Sequence, residues 1–338
     1  MYETFFGLTG KPFQLNPDPA FFYGSRGHKR AFAYLQYGVH QSEGFIIITG
    51  EVGAGKTTLV RSLLEQIDPN RLVAAQLVTT QLDAEDLLRA VAMAFGFPTR
   101  ALDKAQLLAE LEAFLVSLVP QGKRALLIVD EAQNLSGRAI EELRMLSNFQ
   151  LGNQGLLQSF LVGQPQLRAL MQGPELQQLR QRVTASYHLG PMDRAETQAY
   201  VEHRLRHVGW SHDPRFEPGA FDAIYSFSAG IPRRINTLCN RVLLAAMLSE
   251  EHLINAANVD ATADEIRLEL SAGSPAAAAA AAASAAGADV RPFGDGDPAT
   301  GLEERVVRLE RAMTATLDLL QQMRRPPAPT RPPDQVKG

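Results

Sequence analysis

The stretch from Gly50 to Thr57 limits what this chain can fold into more than any other part of its sequence. A glycine, four free positions, a second glycine, a lysine and a hydroxyl residue form the pattern of a phosphate-binding loop. Its members are Gly50, Glu51, Val52, Gly53, Ala54, Gly55, Lys56 and Thr57, followed by Thr58. The β-branched run 45–49 before the loop predicts a buried strand, and the apolar periodicity of 59–64 after it predicts a helix.

The residue types of this loop indicate its chemistry. Glycines let the backbone turn tightly and aim N–H groups at an anion, while Lys56 can reach the outer phosphates. The Thr57 hydroxyl can bind Mg²⁺, and a helix that starts here points its positive end at the phosphates. We therefore expect residues 50–58 to bind ATP together with Mg²⁺.

A second motif follows the apolar run that begins at Ala125 and ends in Asp130 and Glu131. Buried carboxylates are costly without a partner, and Mg²⁺ is the expected partner of Asp130. Glu131 is then placed to polarise the water that attacks the γ-phosphate. By itself, an apolar run that ends in Asp-Glu can also be a helix cap. The phosphate loop upstream favours the catalytic interpretation, and with it hydrolysis of the nucleotide over binding alone.

Further candidates leave alternatives open. Gln164 follows the predicted strand 156–162 and is either a sensor of the γ-phosphate or attacking water, or a turn residue before a proline. His28 begins the predicted helix 27–40 and lies either near the nucleotide base or at the surface or a cap. Arg180 and Arg182 directly precede the predicted strand 185–189.

Strands and helices alternate up to about residue 190, which predicts an α/β fold with a mostly parallel sheet and helices on both faces. The other elements predicted there are a strand at 72–78 and helices at 83–95, 103–119, 136–149 and 176–182. Only helices follow, at 194–208, 217–228, 232–249 and 258–270. We therefore expect a nucleotide-binding domain over 1–190, including an irregular aromatic segment (1–24) packed on it, and a helical domain over 191–270.

Composition narrows the function classes. The net charge of −4 lacks the basic surplus typical of nucleic-acid binding, so nucleic acid is not an expected partner. The single cysteine, Cys239, lies among apolar residues and indicates core packing in a reducing compartment. We find neither a secretory leader nor a run of about 20 apolar residues that would span a bilayer. We expect a soluble, cytoplasmic protein without a direct membrane span.

Taken together, Gly50–Thr57, Asp130-Glu131, Gln164, Arg182 and Gly230-Ile-Pro-Arg-Arg resemble the AAA+ ATPases. The resemblance implies a P-loop NTPase with a parallel-sheet core and a C-terminal helical lid domain. It also implies that Arg233 is the sensor-2 arginine of the lid. Arg182, with Arg180 as the alternate, would be the finger that reaches a neighbouring subunit's γ-phosphate.

A narrower resemblance rests on Phe5-Phe6-Gly7-Leu8, Lys11-Pro12-Phe13, Asp18-Pro19, Val162–Pro165 and Gln181–Thr184. These residues resemble the ExeA-type general secretion pathway A ATPases, and most of all the branch associated with exosortase (PEP-CTERM) and exopolysaccharide loci. The resemblance implies an ATP-dependent oligomer that serves a secretion or polysaccharide-export system. ExeA-type proteins continue into a transmembrane helix and a peptidoglycan-binding domain. We find neither here, so we expect export-system proteins to hold the chain at the inner membrane.

The C-terminal part differs in composition. Residues 271–300 are rich in Ala, Gly and Pro and predict a linker. Residues 301–324 carry a heptad seam from Leu302 to Met323, which indicates either a short coiled coil for self-association or partner binding, or a surface helix. Residues 325–338 are typical of a disordered tail.

Two other functions share a phosphate loop. A DNA-associated AAA+ ATPase of the transposition or replication type has the same core, but such proteins usually add a basic module that is not found here. The tyrosine kinases of polysaccharide export carry a tyrosine-rich C-terminal tail, whereas residues 271–338 contain no tyrosine.

Overall fold

The computed structural model describes residues 1–41, 44–78, 82–97, 99 and 102–272. The strands are β1 Phe45–Gly50, β2 Leu72–Val78, β3 Arg124–Asp130, β4 Gln150–Leu151, β5 Gln154–Gly155, β6 Leu157–Gly163, β7 Val183–Leu189, β8 Arg215–Phe216 and β9 Leu253–Ile254. The helices are α1 Tyr2–Phe5, α2 Arg26–Gln41, α3 Lys56–Gln66, α4 Ala84–Ala94, α5 Lys104–Leu118, α6 Gly137–Leu146, α7 Pro165–Met171, α8 Gln177–Arg180, α9 Arg194–His207, α10 Pro218–Ser228, α11 Pro232–Leu248 and α12 Ala256–Ala272.

Within the described residues, five strands form one sheet in the order β2-β3-β6-β1-β7, and every neighbouring pair is parallel. Parallel neighbours bring their carboxyl ends to the same edge of a sheet. The phosphate loop follows β1, Asp130 ends β3, and Gly163 ends β6. Because β3, β6 and β1 are consecutive in the sheet, this topology places both sequence motifs and Gln164 along one edge.

Side chains of the central strands alternate between two apolar cores. Ile46 and Ile48 pack with α2 and α3 residues on one face. Ile47 and Val129 pack with residues of α4, α5 and α6 on the other. The central strands are therefore buried on both faces, which explains their nearly continuous apolar sequences. The predicted parallel sheet with helices on both faces is confirmed.

Helices α9–α12, which we call the lid, have an apolar core of their own. Cys239 is fully buried in it, as expected for a packing residue, and burial raises the pKa of its thiol. Tyr2, Phe6 and Phe13 belong to this same core. The prediction that the N-terminal aromatic residues pack on the nucleotide-binding part is therefore wrong for these side chains, which complete the core of the lid.

Several elements differ from the predicted ones. Helix α7 is not among the predicted elements. Its first residue is Pro165, which is typical of a turn but is also favoured in the first turn of a helix. The helix expected at 176–182 is reduced to α8 after a 3₁₀ turn at Pro174–Leu176. The short pairs β4–β5 and β8–β9 were also not predicted.

The bounds proposed for the domains stay predictions, since contacts group Met1–Gly273 into one compact unit. Helix α12 extends to Ala272 and so takes up the first two residues of the predicted linker. The rest of that linker, the predicted coiled-coil helix and the tail lie outside the described residues. Among the described helices, none is both long and apolar enough to cross a membrane.

Candidate nucleotide site

The phosphate loop adopts backbone angles that favour glycine. Gly53 and Gly55 have φ angles of 81° and 95°, in the left-handed region. A Cβ atom on Gly55 would lie 2.8 Å from Nε2 of His28. Helix α3 begins at Lys56, so its first N–H groups lie beside the loop. The local geometry therefore has the form of an anion cradle at a helix N-terminus.

Lys56 is buried against its own loop, with its ammonium group donating to the carbonyl oxygens of Gly50 at 2.8 Å and Glu51 at 3.0 Å. Burial lowers the pKa of Lys56, while the nearby carboxylates of Glu131, Asp130 and Glu51 oppose this shift. The Lys56 ammonium group thus lies against its own loop, between carbonyl oxygens and carboxylates.

Asp130 connects the strand motif to the loop. Its Oδ2 accepts a hydrogen bond from the Thr57 hydroxyl at 2.9 Å, and its Oδ1 accepts one from the Glu131 backbone N–H at 3.0 Å. Burial raises the pKa of Asp130 in spite of these hydrogen bonds. A hydroxyl and a carboxylate side by side are the oxygen donors that Mg²⁺ prefers. The residues predicted to hold the metal therefore fit it.

Glu131 lies just past the end of β3, with a left-handed φ of 54°, and a 3₁₀ turn at Ala132–Asn134 follows. Its Oε2 accepts hydrogen bonds from Nε2 of Gln133 at 2.6 Å and from Nε2 of Gln164 at 3.0 Å. Burial acts to raise the pKa of Glu131, but these two hydrogen bonds and the Lys56 charge together lower it. The carboxylate is therefore held in its ionised form.

The side chain of Gln164 contacts Glu131, so it lies beside the candidate base, and its role as a sensor stays a prediction. It is also the N-cap residue of α7, although its side chain makes no capping hydrogen bond. Gln133 was missed by the sequence analysis. Gln133 is close to Glu131 in sequence, but the contact between their side chains depends on the left-handed backbone conformation of Glu131.

His28 is buried, at 5% exposure, so its interpretation as a surface residue is wrong. Its Nε2 lies 3.0 Å from the carbonyl oxygen of Ala54, and its Nδ1 lies 2.7 Å from the Ser25 hydroxyl. A carbonyl oxygen only accepts, so Nε2 carries the proton and Nδ1 accepts from Ser25. Burial lowers the pKa of His28, which favours this neutral form. The imidazole therefore anchors the phosphate loop.

A cavity of about 320 Å³ extends from the phosphate loop to the lid. Its lining includes Lys56, Thr57, Glu131, Arg233 and His28. The backbone N–H of Arg233 donates to the carbonyl oxygen of Gly53 at 3.1 Å. A Cβ on Gly53 would lie 2.2 Å from that of Arg233, so only glycine allows this approach. The structure thus places the predicted sensor arginine directly beside the loop.

The far end of the cavity is formed by the lid and the N-terminal segment. Arg204 of α9 is buried there, with its guanidinium donating to the carbonyl oxygens of Pro12 and Gln14 and to the Tyr200 hydroxyl. It also lies 4.7 Å from the centre of the Phe21 ring. Arg204 was not identified from the sequence, because its contacts with Pro12 and Gln14 join segments 192 and 190 positions apart.

Arg182 and Arg180 are not part of this cavity. Arg182 lies at the amino end of β7, beside the start of β1, and Nη1 contacts both the carbonyl and hydroxyl oxygens of Ser147 at 3.0 Å. Arg180 donates to the carbonyl oxygens of Met171 and Gly173. The length of β1, roughly 17 Å at 3.3 Å per residue, separates Arg182 from its own phosphate loop. Neither arginine reaches its own site.

A phosphate loop after β1, an Asp-Glu pair at the end of β3 two places away in the sheet, and a helical lid together form the fold of the AAA+ P-loop NTPases. In agreement, residues 39–171 match a family described as AAA domain. The chain is 40% identical over 267 residues to General secretion pathway protein A from Aeromonas hydrophila. The match covers 79% of this chain and 48% of the relative, so the chain spans about half the length of that curated protein.

Solved structures support the same fold. The ORC2 protein of Aeropyrum pernix, in its ADPNP-ADP complexes, is similar with a TM-score of 0.58, 19% identity and coverage of 75% of this chain and 71% of that one. Cdc6p from Pyrobaculum aerophilum is similar with a TM-score of 0.56 and 14% identity, covering 78% of this chain and 70% of that one. At these identities, the likeness concerns the fold.

Proposed function

We propose that this chain binds ATP with Mg²⁺ and hydrolyses it. The observation that carries the proposal is the contact between the two motifs, in which the Thr57 hydroxyl of the phosphate loop donates to Asp130 at 2.9 Å. Glu131, with a lowered pKa, lies directly beside this pair. ATP binding needs only the phosphate loop. Hydrolysis also needs a base, which an ionised carboxylate beside the loop provides.

Each residue of the site has a role in this proposal. Residues 50–58 surround the phosphates, and Lys56 neutralises charge on the outer ones. Thr57 and Asp130 would hold Mg²⁺, which neutralises phosphate charge when bound. Glu131 accepts the proton of the attacking water, and Gln164 lies beside that carboxylate. Arg233 of the lid lines the cavity beside the loop and would contact the phosphates.

The finger arginine is proposed to act between subunits. Arg182 lies at the opposite edge of the sheet from its own loop, so in this proposal it would serve the site of a neighbouring copy. The proposed mechanism therefore includes self-association, with Arg180 as the alternate residue.

The substitution Glu131→Gln tests hydrolysis directly. An amide cannot accept the proton, and a general base contributes roughly 10²–10⁴-fold in rate, so we expect turnover to fall by that factor while ATP binding remains. The matched control is Glu85→Gln, which alters an exposed carboxylate of α4 that pairs with Arg89. A Glu131→Gln protein that hydrolyses ATP at the wild-type rate would contradict the assignment.

The cellular role that we propose is that of a motor or switch for a secretion or exopolysaccharide-export system of the exosortase-associated kind. It would act on the cytoplasmic side of the inner membrane through partner proteins. The support is the similarity to General secretion pathway protein A, together with the motifs of the N-terminal segment.

Partner capture tests this role. The Glu131→Gln protein, loaded with ATP, should retain inner-membrane export proteins, whereas Lys56→Ala, which cannot bind ATP, should not. ATP-dependent retention on DNA at physiological salt, without export proteins, would favour the DNA-associated alternative.

A further inference from the structure

We propose that Gln133 is a positioning residue for ATP hydrolysis, which fixes the Glu131 carboxylate in the direction from which it accepts the proton of the attacking water. This inference rests on the proposed hydrolysis and extends it to a residue that contacts the base. Three features support it: the direction of the Gln133 amide, the turn that brings it to Glu131, and the glycine that makes room for it.

The direction of the Gln133 amide is determined by its neighbours. Its Oε1 accepts the backbone N–H of Gln164 at 2.9 Å. A backbone N–H can only donate, so the oxygen of the amide must face Gln164 and its Nε2 must face Glu131. That nitrogen donates to Oε2 of Glu131 at 2.6 Å. One side chain thus links the base to the end of β6.

The backbone turn at Glu131 makes this contact possible. A left-handed φ is uncommon for a residue with a side chain, and at Glu131 it reverses the chain into the 3₁₀ turn at Ala132–Asn134. The turn returns Gln133, two positions further on, to the side chain of Glu131. An extended continuation of β3 would instead carry it along the strand direction and away from the base.

Gly163 leaves space for the same side chain. A Cβ atom at this position would lie 2.7 Å from Oε1 of Gln133 and 3.3 Å from its backbone nitrogen. Any larger residue would displace the Gln133 amide. The end of β6 therefore helps to hold Glu131 in two ways. The side chain of Gln164 donates to its carboxylate, and Gly163 leaves room for the Gln133 amide.

The chemistry of a base explains why amides suit this task. A carboxylate rotates about its terminal bond, and donors on Oε2 restrict that rotation. Amide N–H groups also stabilise the ionised form without adding a positive charge that would compete for the carboxylate.

The test compares Gln133→Leu with wild type under conditions where ATP binding and turnover are measured separately. We expect the Kd for ATP, measured with Mg²⁺ before turnover, to stay within about twofold. We expect kcat to fall about 10- to 100-fold, as for other catalytic groups displaced by about 1 Å. A lowered kcat at an unchanged Kd is the pattern that a positioning role predicts and that a loss of folding stability alone would not give.

Gly163→Ala keeps the test decisive if Gln133→Leu folds poorly, and a double variant tests whether Gln133 acts through Glu131. Gly163→Ala should give the same pattern in weaker form, because it displaces the amide without removing it. In a Glu131→Gln background, Gln133→Leu should cause no further loss of turnover, since Gln133 acts only through Glu131. An additional loss there would show a separate role and overturn the inference.

The results also separate this inference from the proposed hydrolysis. If Glu131→Gln abolishes turnover and Gln133→Leu leaves kcat unchanged, the positioning role is wrong while the base remains. If Gln133→Leu lowers thermal stability and ATP affinity in parallel, while kcat of the ATP-bound protein stays at the wild-type value, its role is structural. If Glu131→Gln itself turns over normally, the proposed hydrolysis mechanism fails first.

Discussion

The anchor between His28 and the phosphate loop can be tested by His28→Phe. Phenylalanine keeps a ring in the buried space, where the imidazole packs edge-on against Phe22 with centroids 5.8 Å apart. It removes the donor to Ala54 at 3.0 Å and the acceptor of the Ser25 hydroxyl at 2.7 Å. The substitution therefore isolates the hydrogen bonds from the packing.

The magnitude follows from what the change leaves unpaired. Removing one partner of a buried hydrogen bond costs about 1–3 kcal/mol. If the whole of this free energy is lost from the ordering of the nucleotide-free loop, ATP binding has to restore that order. The Kd for ATP then rises by about 5- to 150-fold, at 1.4 kcal/mol per tenfold change. Ser25→Ala, which removes only the outer partner of the imidazole, should have a smaller effect.

The assay is titration of each variant with ATP and Mg²⁺, alongside thermal unfolding of the nucleotide-free protein. If the unfolding midpoint falls while the Kd for ATP is unchanged, His28 supports the fold but not the loop, and the reasoning is refuted. Unfolding as a function of pH gives an independent check of the imidazole contribution.

The sign of that pH dependence follows from burial. Burial lowers the pKa of His28 in the folded state below its ordinary value of 6.5, so the unfolded chain binds the proton more readily. The stabilisation by neutral His28 is fully present above about pH 6.5 and is lost as the pH falls through the folded-state pKa. The free energy of unfolding of His28→Phe should therefore fall less steeply at acidic pH than that of the wild type. An unchanged pH dependence would contradict this contribution of His28.

Two predictions concern other parts of the site. Lys56→Ala should abolish ATP binding, measured by titration, because it removes the cation beside the outer phosphates; binding at wild-type affinity would contradict its role. Arg182→Ala should bind ATP normally but hydrolyse it poorly, since finger arginines contribute roughly 10³–10⁵-fold in rate. Mixing Arg182→Ala with Lys56→Ala should restore activity above the sum of the two, whereas no recovery despite demonstrated mixed assembly would count against a site shared between subunits. Loss of turnover in Arg180→Ala instead would identify the alternate finger.

The features that the sequence predicts well have local signals. The phosphate loop, the apolar strands and the capped helices each depend on residues within a few positions, as in the Asp103 and Asp193 capping boxes. The order of strands and helices was enough to predict a parallel sheet. Because the carboxyl ends of its central strands meet, the proximity of Asp130 to Thr57 followed from the topology.

The features that were missed depend on distant or unusual backbone geometry. His28 reaches a loop carbonyl 26 positions away, and no periodicity in the sequence indicates that pairing. Gln133 depends on the left-handed conformation at Glu131, which is uncommon for a non-glycine residue. The aromatic residues of the N-terminus have an obvious need for burial, but their sequence does not indicate which of the available cores they join.

The joint core of the N-terminal segment and the lid has a consequence for the time course of synthesis. Pro12, whose carbonyl oxygen accepts from the buried Arg204, precedes that residue by 192 positions. At about 5–20 residues per second, a ribosome needs roughly 10 to 40 s to make the intervening chain. Throughout that interval, Phe6 and Phe13 have been made but the helices that bury them have not. This segment is thus made well before the helices that bury it, and a nascent-chain chaperone would find its apolar side chains accessible during that delay.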